Sequence, residues 1–243
     1  MTDFRNMPDG GLPKSISVIF PAYNEEENIR RTIELAVEAM RPRFQSFELV
    51  SIEDGSTDST GRIAADLANQ YPEITLLRNE TNKGLGESLY RGFRSAKSDL
   101  VVQNSLDYPL DLRDLDILLP ELAEADIVVA VRKSRAGYSA YRKIASIVNR
   151  RLIRLLFQPK LRDYNFTQVY KREVLEKAIP TSRSTVFIVP EILIRAHRMG
   201  FRIKEVDIEY HPRLAGVATS GKPSVVLHAI HDMCLFWIHD LLK

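Results

Sequence analysis

Short apolar runs alternate with longer amphipathic stretches along most of the chain. Runs such as 16–20, 47–52 and 127–131 have the length and composition of buried strands. Between such runs, apolar residues recur at intervals of three and four, which is typical of helices that pack one face against a sheet. This regular alternation predicts an α/β fold with a mostly parallel sheet and helices on both of its faces.

Polar residues follow the first two predicted strands. After the first strand, which ends at Pro21, Asn24 is placed to cap a helix whose first turn holds three glutamates. The second strand ends at Glu53 and Asp54, and a Gly-Ser-Thr-Asp turn then leads into another helix. In this βαβ unit both strands end at the same edge of the sheet. Open α/β sheets bind ligands at that edge, so we expect a ligand site there.

These two polar segments, PAYNEEENI and EDGSTDST, resemble the corresponding segments of family 2 glycosyltransferases. The similarity is nearest to the branch that contains dolichol-phosphate mannose synthases and bacterial polyprenyl-phosphate sugar transferases, and it spans residues 15–222. It implies a single GT-A domain of the Rossmann-like type. It also implies a hexosyltransferase that moves a sugar from a GDP- or UDP-sugar to an acceptor, with inversion at the anomeric carbon.

The resemblance implies which residues hold the nucleotide sugar. Those of the first two loops are Pro21, Ala22, Tyr23, Glu25, Glu53 and Asp54. In a third segment, Asn82 and Lys83 precede a Gly-x-Gly that opens a helix, and they are placed to line the same pocket. A carboxylate can accept hydrogen bonds from ribose hydroxyls or a base N–H, and an aromatic ring can flank the base. The alternative interpretation is a set of ordinary strand-to-helix turns with solvated acids.

The end of the fourth predicted strand departs from the family pattern. The family has Asp-x-Asp-Leu-x-x-Pro there, which binds a divalent ion on the donor diphosphate. When Leu106 and Pro109 serve as anchors, neither acid is present. The positions carried over to the nucleotide-sugar site are Gln103, Asn104 and Ser105. Hard cations need carboxylate oxygens, and Asp107 is the acid left nearby, so we expect Mg²⁺ or Mn²⁺ to be weakly held or dispensable. Asp107 could equally cap the turn before Pro109.

The candidates for catalysis are Asp107, Arg132, Asp163 and Arg213. Arg132 ends the fifth strand, where a guanidinium group suits phosphate oxygens. The resemblance places Arg213 and Lys222 on the phosphates as well, Asp163 near the acceptor, and a mobile loop at 134–140 over the donor. Asp163 has a loop-capping role as its alternative. Where the family has a glycine-aromatic-basic element, this chain has Phe-Thr-Gln at 166–168.

The nature of the acceptor bears on whether a catalytic base is needed. A hydroxyl acceptor needs a carboxylate to take its proton, whereas a polyprenyl phosphate is already an anion at neutral pH. The sequence contains no clear base motif, which favours a lipid phosphate, although Asp163 could be a base. Two other functions stay open: a catalytically silent nucleotide-sugar-binding protein with a degenerate metal motif, and a nucleotidyltransferase, which would release pyrophosphate.

Two amphipathic stretches have more than one interpretation. Residues 141–157 mix apolar residues with five arginines and lysines, which suits either an anionic membrane surface or a solvated basic face. Residues 224–243 predict a C-terminal helix with a wide apolar face. This helix could make a peripheral membrane or subunit contact, or it could pack on the domain itself. The predicted organisation is a tail at 1–14, a transferase domain at 15–223 and this helix.

Composition excludes several classes of protein. The chain has 243 residues, of which 44% are hydrophobic and 27% charged, which is ordinary for a globular domain. The net charge of +2 gives no indication of nucleic-acid binding. Cys234 is the single cysteine, which excludes an internal disulfide and a cysteine-based metal cluster. The polar N-terminus does not read as a signal peptide, and no apolar run reaches the roughly 18 residues of a membrane span. We therefore expect a cytoplasmic protein, which could be peripheral at a membrane surface.

Overall fold

The computed structural model describes residues 15–107, 109–133, 140–209 and 223–241. Its strands are β1 Ser15–Ala22, β2 Ser46–Asp54, β3 Ile74–Asn79, β4 Leu100–Gln103, β5 Ile127–Arg132, β6 Gln168–Lys171 and β7 Ile203–Ile208. Its α-helices are α1 Ile29–Met40, α2 Thr60–Gln70, α3 Leu85–Ser95, α4 Leu115–Leu118, α5 Ala140–Leu156, α6 Arg172–Lys177, α7 Ile188–Arg198 and α8 Pro223–Leu241. Two 3₁₀ segments flank α4, at Leu112–Asp114 and Leu119–Ala123.

The described strands form one sheet in the order β3-β2-β1-β4-β6-β5-β7. β1 pairs in parallel with β2 and β4, β2 with β3, and β5 with β7. β6 runs antiparallel to both of its neighbours. The predicted α/β fold with a mostly parallel sheet is thus confirmed.

Alternate residues of the central strands enter two separate cores. Val18 and Phe20 face α1 and α2, whereas Ile19 and Ile52 face α3 and α7 on the other side of the sheet. Gly92 of α3 lies so close to the sheet that a Cβ there would be 3.0 Å from the Cδ1 of Ile52. Helices therefore cover both faces, as predicted.

The direction of the chain reverses beside β1. From β1 the chain passes to β2 and β3 through α1 and α2, which pack on one face. It then crosses the other face through α3 and enters β4 on the far side of β1. Loops at the carboxyl ends of β1 and β4 consequently leave in opposite directions, which opens a crevice. In open α/β sheets such a switch point is where ligands bind.

Asn24 does not cap the first helix, so that prediction was wrong. α1 begins at Ile29 with Asn28 before it, and Asn24 instead has a left-handed backbone with φ 53°. Asparagine is one of the few residues that tolerate this conformation, because its short side chain bonds locally. The N–H groups of Asn28 and Ile29 both donate to Glu25 O, so a turn separates β1 from the helix.

The stretch 111–125 is not the single helix that its apolar spacing predicts. It forms a 3₁₀ turn, one turn of α-helix and a second 3₁₀ segment. Pro120 lies at the start of the last segment and has no N–H to continue an α-helical ladder. Leu115, Leu118 and Leu122 are nevertheless buried, because 3₁₀ and α spacing turn the same residues inward over so short a distance.

Burial in α5 and α8 differs from a simple amphipathic pattern. A solvated basic face on α5 would require its aliphatic residues to turn inward, yet Ile144, Val148 and Leu155 are exposed. α8 packs on the second core through Ala229 and Met233. Among the described residues, no helix is both long and apolar enough to cross a membrane.

Asp126 joins three strands at the edge of the sheet opposite the crevice. Its carboxylate accepts hydrogen bonds from Arg202 N at 2.9 Å and Lys171 Nζ at 3.0 Å. Burial acts to raise the pKa of Asp126, but the bonds from Arg202 and Lys171 outweigh it and lower the pKa to about 2. A carboxylate whose folded pKa is depressed stabilises the fold above its unfolded pKa of about 4, and this contribution is lost as the pH falls towards 2.

We expect Asp126→Asn to lower the free energy of unfolding by about 2 kcal/mol at pH 7, because it removes the charged partner of Arg202 and Lys171. The difference from the wild type should shrink steadily below pH ~4. Urea denaturation at a series of pH values measures it. The surface variant Glu34→Gln, in an exposed pair with Arg30, is the control and should stay within about 0.5 kcal/mol. A deficit in Asp126→Asn that does not depend on pH would contradict this account.

Candidate active site

The ends of the strands that position the candidate residues lie at the edge that holds the crevice. β1, β2, β4 and β5 end there, at Ala22, Asp54, Gln103 and Arg132, and the antiparallel β6 begins there at Gln168. We call this the carboxyl edge. The register sets the spacing along it: Ala22 lies opposite Glu53, and Gln103 lies opposite Ile19. The sequence-predicted residues of the first, second and fourth strands are therefore brought to one place.

The loops after β1 and β2 are joined by reciprocal hydrogen bonds. Asn24 Oδ1 accepts from Thr57 N at 2.9 Å, and Thr60 Oγ1 accepts from Glu25 N at 2.8 Å. Glu26 Oε2 accepts from Ser59 N at 2.9 Å. The left-handed backbone of Asn24 is what aims its side chain at the second loop. The two motifs that the sequence suggested as a pair are one rigid unit.

Asp58 belongs to this unit. Burial acts to raise the pKa of the Asp58 carboxyl, but hydrogen bonds from Thr60 and Glu26 hold that pKa below its ordinary value. The Asp58 carboxylate lies beside the first residues of α2, where negative charge also suits the helix dipole. Asp58 therefore fixes the loop, and it stays ionised at neutral pH.

Asp54 bonds entirely within the protein. Its Oδ1 accepts from Asn79 Nδ2 and from Lys83 N at 2.9 Å, and its Oδ2 accepts from Gly84 N at 2.8 Å. Asp54 is 2% exposed. Gly84 precedes α3, so the carboxylate occupies the positive end of that helix. The N–H groups of Lys83 and Gly84, directly before the helix, are therefore bonded within the protein.

The glycines of this region are explained by close backbone approach. Gly55 has φ +67°, and a Cβ there would lie 2.5 Å from the carbonyl carbon of Thr81. A Cβ at Gly86 would clash with Arg183 O. The loop after β3 thus packs against the end of β2, and the start of α3 packs against the segment before α7. Both contacts hold this side of the crevice in place.

The remaining residues carried over to the first two loops differ in exposure. Tyr23 is 43% exposed and Lys83 is also exposed, so both side chains can reach a ligand. Glu53 is buried and its Oε1 accepts from Ser56 N at 2.6 Å. Ala22 is 1% exposed, so its side chain belongs to the core and only its backbone can serve a ligand.

The end of β4 is occupied by a pair of buried amides. Gln103 Nε2 donates to Gln168 Oε1 at 2.5 Å and to Phe166 O at 3.3 Å. Gln168 is completely buried, and its Nε2 donates to Tyr164 O at 3.2 Å. Gln168 was not among the predicted site residues. The sequence carries no signal for it, because Gln168 comes to lie beside Gln103 only through the pairing of β4 with β6.

Of the residues after Gln103, Asn104 is directed into the protein and Ser105 is directed outward. Asn104 is buried, and its side chain donates to Leu110 O at 2.9 Å while accepting from Ser105 N. Ser105 is exposed and Asp107 is 8% exposed. Asn104 therefore shapes the turn rather than presenting its amide to a donor.

These residues do not fit a tightly held divalent cation. Gln103 directs its amide nitrogen at two oxygens of the Phe166–Gln168 segment, which leaves its buried Oε1 without a hydrogen-bond partner and as a neutral oxygen donor. Ser105 supplies a neutral oxygen, so Asp107 is the one carboxylate of the segment. Within the described ranges, no group of three His, Cys, Asp or Glu side chains comes together as a metal site. Among the described residues, the end of β4 thus offers one carboxylate together with neutral oxygens, which is a poorer donor set than the two acids of the family pattern.

Arg132 and Asp163 form a buried ion pair at the carboxyl edge. Arg132 Nε donates to Asp163 Oδ2 at 2.8 Å and its Nη2 donates to Oδ1 at 3.0 Å. The side chains are 9% and 5% exposed, and the guanidinium group lies 4.8 Å from the Phe166 ring centre. Asp163 Oδ1 also accepts from Asn165 N. The structure thus joins two predicted catalytic residues, and it engages both oxygens of the proposed base.

A buried glutamate that the sequence analysis missed holds a loop that packs against α3. Glu191 is fully buried and accepts hydrogen bonds from Thr181 N, Ser182 N and Arg195 Nε, all within 2.8 Å. The loop that it holds places Arg183 against α3, where Arg183 Nε donates to Glu87 Oε2. The sequence feature that could have revealed Glu191 is a single acid within the apolar run before Arg195.

Several predicted residues lie outside the described ranges. These are Arg213 and Lys222, together with the proposed loop at 134–139 and the N-terminal tail at 1–14. The described site therefore consists of the carboxyl edge, its three loops and the segment 163–168.

Comparison with known families identifies the chain. A family model described as glycosyl transferase family 2 matches residues 17–179, which include every loop of the described site. The chain belongs to glycosyl transferase family 2. The resemblance that the two polar segments carry is therefore confirmed.

Curated relatives of this family 2 chain cover most of it. Glycosyltransferase AglD of Haloferax volcanii is 29% identical, over 82% of this chain and 33% of that protein. An undecaprenyl-phosphate 4-deoxy-4-formamido-L-arabinose transferase of Photorhabdus laumondii is 27% identical, over 84% and 62%. Dolichyl-phosphate beta-glucosyltransferase ALG5A of Trichomonas vaginalis is 26% identical, over 93% and 76%. The chain thus spans a third and just under two thirds of the first two relatives.

A solved structure shows the same fold. Glucosyl-3-phosphoglycerate synthase from Mycobacterium tuberculosis, crystallised with Mn²⁺, uridine diphosphate and phosphoglyceric acid, superposes with a TM-score of 0.68. The two chains are 21% identical, and the match covers 89% of this chain and 76% of that one. The single GT-A fold that the family resemblance implies is thereby confirmed.

We expect Asp54 to act mainly on the stability of the fold, and to affect nucleotide binding only through the loop that it holds. We expect Asp54→Ala to lower the free energy of unfolding by about 1–3 kcal/mol, because Lys83 N and Gly84 N lose their acceptor. Nucleotide affinity should fall as a consequence of the displaced loop. Urea denaturation and calorimetric titration with nucleoside diphosphates measure the two effects.

Asp66→Ala is the matched control, since Asp66 lies in an exposed pair with Arg62. It should change stability by less than about 0.5 kcal/mol. If Asp54→Ala weakens nucleotide binding with no loss of stability, its carboxylate binds the nucleotide directly and the internal role is wrong.

Proposed function

We propose that the protein transfers a hexose from a nucleoside diphosphate sugar to a polyprenyl phosphate, with inversion at the anomeric carbon. The observation that carries this is the carboxyl edge itself, in which the two family motifs form one crevice at the switch point of the sheet. Two of the relatives are named for transfer to undecaprenyl phosphate and for a dolichyl-phosphate activity, which supports a lipid phosphate as the acceptor.

The nucleotide would lie across the ends of β1 and β2. Tyr23 and Lys83 are exposed beside this crevice, so Tyr23 can flank the base and Lys83 can approach a phosphate. The joined loops at 24–28 and 55–60 hold this surface in a fixed shape before the donor binds. A preformed site of this kind lowers the ordering cost of binding.

The acceptor side of the proposal depends on the Arg132–Asp163 pair. A base needs a carboxylate oxygen that is open to the acceptor proton, and both oxygens of Asp163 bond to Arg132. A phosphate acceptor carries its own negative charge, so it needs no base, and the guanidinium group can meet its oxygens. We therefore assign Asp163 the task of orienting Arg132, and Arg132 the task of binding phosphate.

Charge on the departing diphosphate has to be neutralised during transfer. Because the end of β4 offers a poor donor set for a cation, we propose that basic side chains do most of this work. Arg132 is one, and Arg213 and Lys222 are the others that the family resemblance supplies. A divalent ion, where one binds, would be held near Asp107 and would add positive charge beside the diphosphate.

Transfer is tested by incubating the protein with labelled GDP- and UDP-sugars and with undecaprenyl or dolichyl phosphate. We expect labelled lipid and free nucleoside diphosphate in equal amounts, with one nucleotide preferred. Arg132→Gln should lower the rate by roughly two orders of magnitude, the effect of losing one charge-stabilising donor. The control Arg94→Gln alters a surface arginine on α3 and should leave the rate unchanged.

Donor binding without transfer to any lipid phosphate would favour a silent binding protein and overturn the proposal. Release of pyrophosphate in place of nucleoside diphosphate would indicate a nucleotidyltransferase.

The proposal about the metal predicts that a chelator lowers transferase activity only slightly, because basic residues neutralise most of the charge on the departing diphosphate. The double variant Gln103→Asp with Ser105→Asp should bind Mn²⁺ more tightly than the wild type, since it provides two carboxylates at alternate positions. Calorimetry measures the affinity. The single variant Gln103→Asp should lose stability, because it gives up the amide donor to Gln168. If a chelator abolishes wild-type transfer and Mn²⁺ restores it fully, the basic residues are not sufficient and the proposal is wrong.

A further inference from the structure

The outward side of α5 carries exposed aliphatic residues. Ile144, Val148 and Leu155 are 61%, 51% and 80% exposed, and Ile147 is also exposed. Positions 144, 148, 151 and 155 follow one another at intervals of four, three and four, so they lie along one side of the helix. The inward side is formed by Ile153, which is fully buried. A row of large aliphatic residues therefore faces away from the protein core.

The same side of α5 is basic. The sequence of α5 contains five arginines and lysines and no acid. Lys143, Arg151 and Arg154 are exposed, and none of them forms an ion pair with a carboxylate in the part of the chain that the structure describes. Since the whole chain has a net charge of only +2, this positive charge is concentrated locally.

An open groove continues this surface at the end of α5. Its volume is about 560 Å³, and it is lined by residues of 154–158 together with Lys160, His197 and Arg198. Arg198 lies 5.9 Å from the ring centre of Phe157 in the floor of the groove. The groove thus repeats the composition of the helix face, with basic groups around an apolar base. We call the exposed side of α5 and this groove together the α5 face.

We propose that the α5 face docks on a bilayer surface that contains anionic phospholipids. Aliphatic side chains enter the boundary between headgroups and acyl chains, while long basic side chains reach the phosphates. Each basic residue near such a surface adds attraction, and the effect is additive along a polybasic segment. Neither a purely basic nor a purely apolar face would account for both kinds of residue at once.

A second copy of the chain is a poorer occupant. A two-fold dimer through the α5 face would place Lys143, Arg151 and Arg154 of one helix close to the same three residues of its partner. Like charges across an interface are strongly unfavourable. Charge complementarity thus selects an anionic surface.

The position of α5 connects docking with the carboxyl edge. Arg150 Nη1 donates to Arg162 O at 3.4 Å, and the next residue, Asp163, pairs with Arg132 at that edge. A bilayer held by α5 would therefore lie beside the segment that carries the Arg132–Asp163 pair. The consequence that a lipid phosphate reaches the crevice from this side rests on the proposed function. Docking itself does not.

Flotation of the full chain with vesicles tests the proposal. The vesicles are phosphatidylcholine alone, and equal parts of phosphatidylcholine and phosphatidylglycerol. We expect the wild type to float with the anionic vesicles and to stay in solution with the neutral ones. About 1 M salt, which shortens the Debye length to ~3 Å, should weaken the binding strongly. A wild type that stays in solution with anionic vesicles would overturn the proposal.

Paired variants identify the surface. Val148→Ser with Leu155→Ser should lower partition roughly tenfold or more, and Arg151→Gln with Arg154→Gln should lower it about fivefold for each charge removed. The controls are Ile117→Ser, which alters a 53% exposed isoleucine on the opposite face of the sheet, and Arg30→Gln with Arg62→Gln on α1 and α2. Controls should float like the wild type. Thermal melts of all variants should match, because every altered side chain is exposed.

The C-terminal helix provides a competing surface for membrane contact. Leu235 and Ile238 of α8 are exposed, although its inner side packs on the core. If Leu235→Ser with Ile238→Ser abolishes flotation and both α5 pairs leave it unchanged, α8 is the docking element and the α5 proposal is wrong.

Failure of docking and failure of the proposed function give different results. A protein that floats through the α5 face but transfers no sugar keeps the docking surface and loses the transferase proposal. A protein that transfers sugar to detergent-dispersed polyprenyl phosphate but never floats loses the docking surface alone.

Discussion

The constraint on which the site depends is the in-register parallel pairing of β1 with both β2 and β4. β1 is buried in the middle of the sheet, so its backbone groups must bond to both neighbours along its length. β4 ends at Gln103, opposite Ile19, whereas β1 continues for three residues to Ala22. This stagger leaves the end of β1 without a neighbour on one side. The crevice is the space that the shorter strand leaves open.

Carboxylates hold the walls of this crevice by satisfying backbone N–H groups. Asp54 fixes the loop after β3, and Asp58 and Glu26 fix the loop after β2. The N terminus of a helix is a common place for a ligand phosphate, and here Asp54 accepts hydrogen bonds from the two N–H groups directly before α3. Acids that a linear motif suggests as ligands of the sugar donor can thus instead hold the loops of the site in place. The surface that can contact the sugar donor is then formed by exposed neighbours such as Tyr23.

The sequence predicted most of the strands along the chain because their apolar runs are short and regularly spaced, but it did not predict β6. It also predicted that the polar ends of β1 and β2 meet at one edge, since parallel strands force their ends together. It could not predict what pairs across the sheet. Gln168 belongs to an antiparallel strand inserted between β4 and β5, and its contact with Gln103 depends on that topology. Nor could spacing alone show that the aliphatic residues of α5 face outward. An amphipathic pattern shows which residues share one side of a helix, but it does not show whether that side is buried or exposed.

The charges at the carboxyl edge determine what the transferase proposal needs. The described side chains there include the acids Glu53, Asp54 and Asp107, while the basic Arg132 is balanced by Asp163. Gln103 and Gln168 form a neutral pair. A diphosphate cannot approach this arrangement favourably unless positive charge is added, and exposed Lys83 supplies one charge. The proposal assigns two more to Arg213 and Lys222, which lie outside the described residues. Among the described residues, compensation by side chains thus rests on Lys83 and Arg132, which is why the transferase proposal also calls on Arg213 and Lys222.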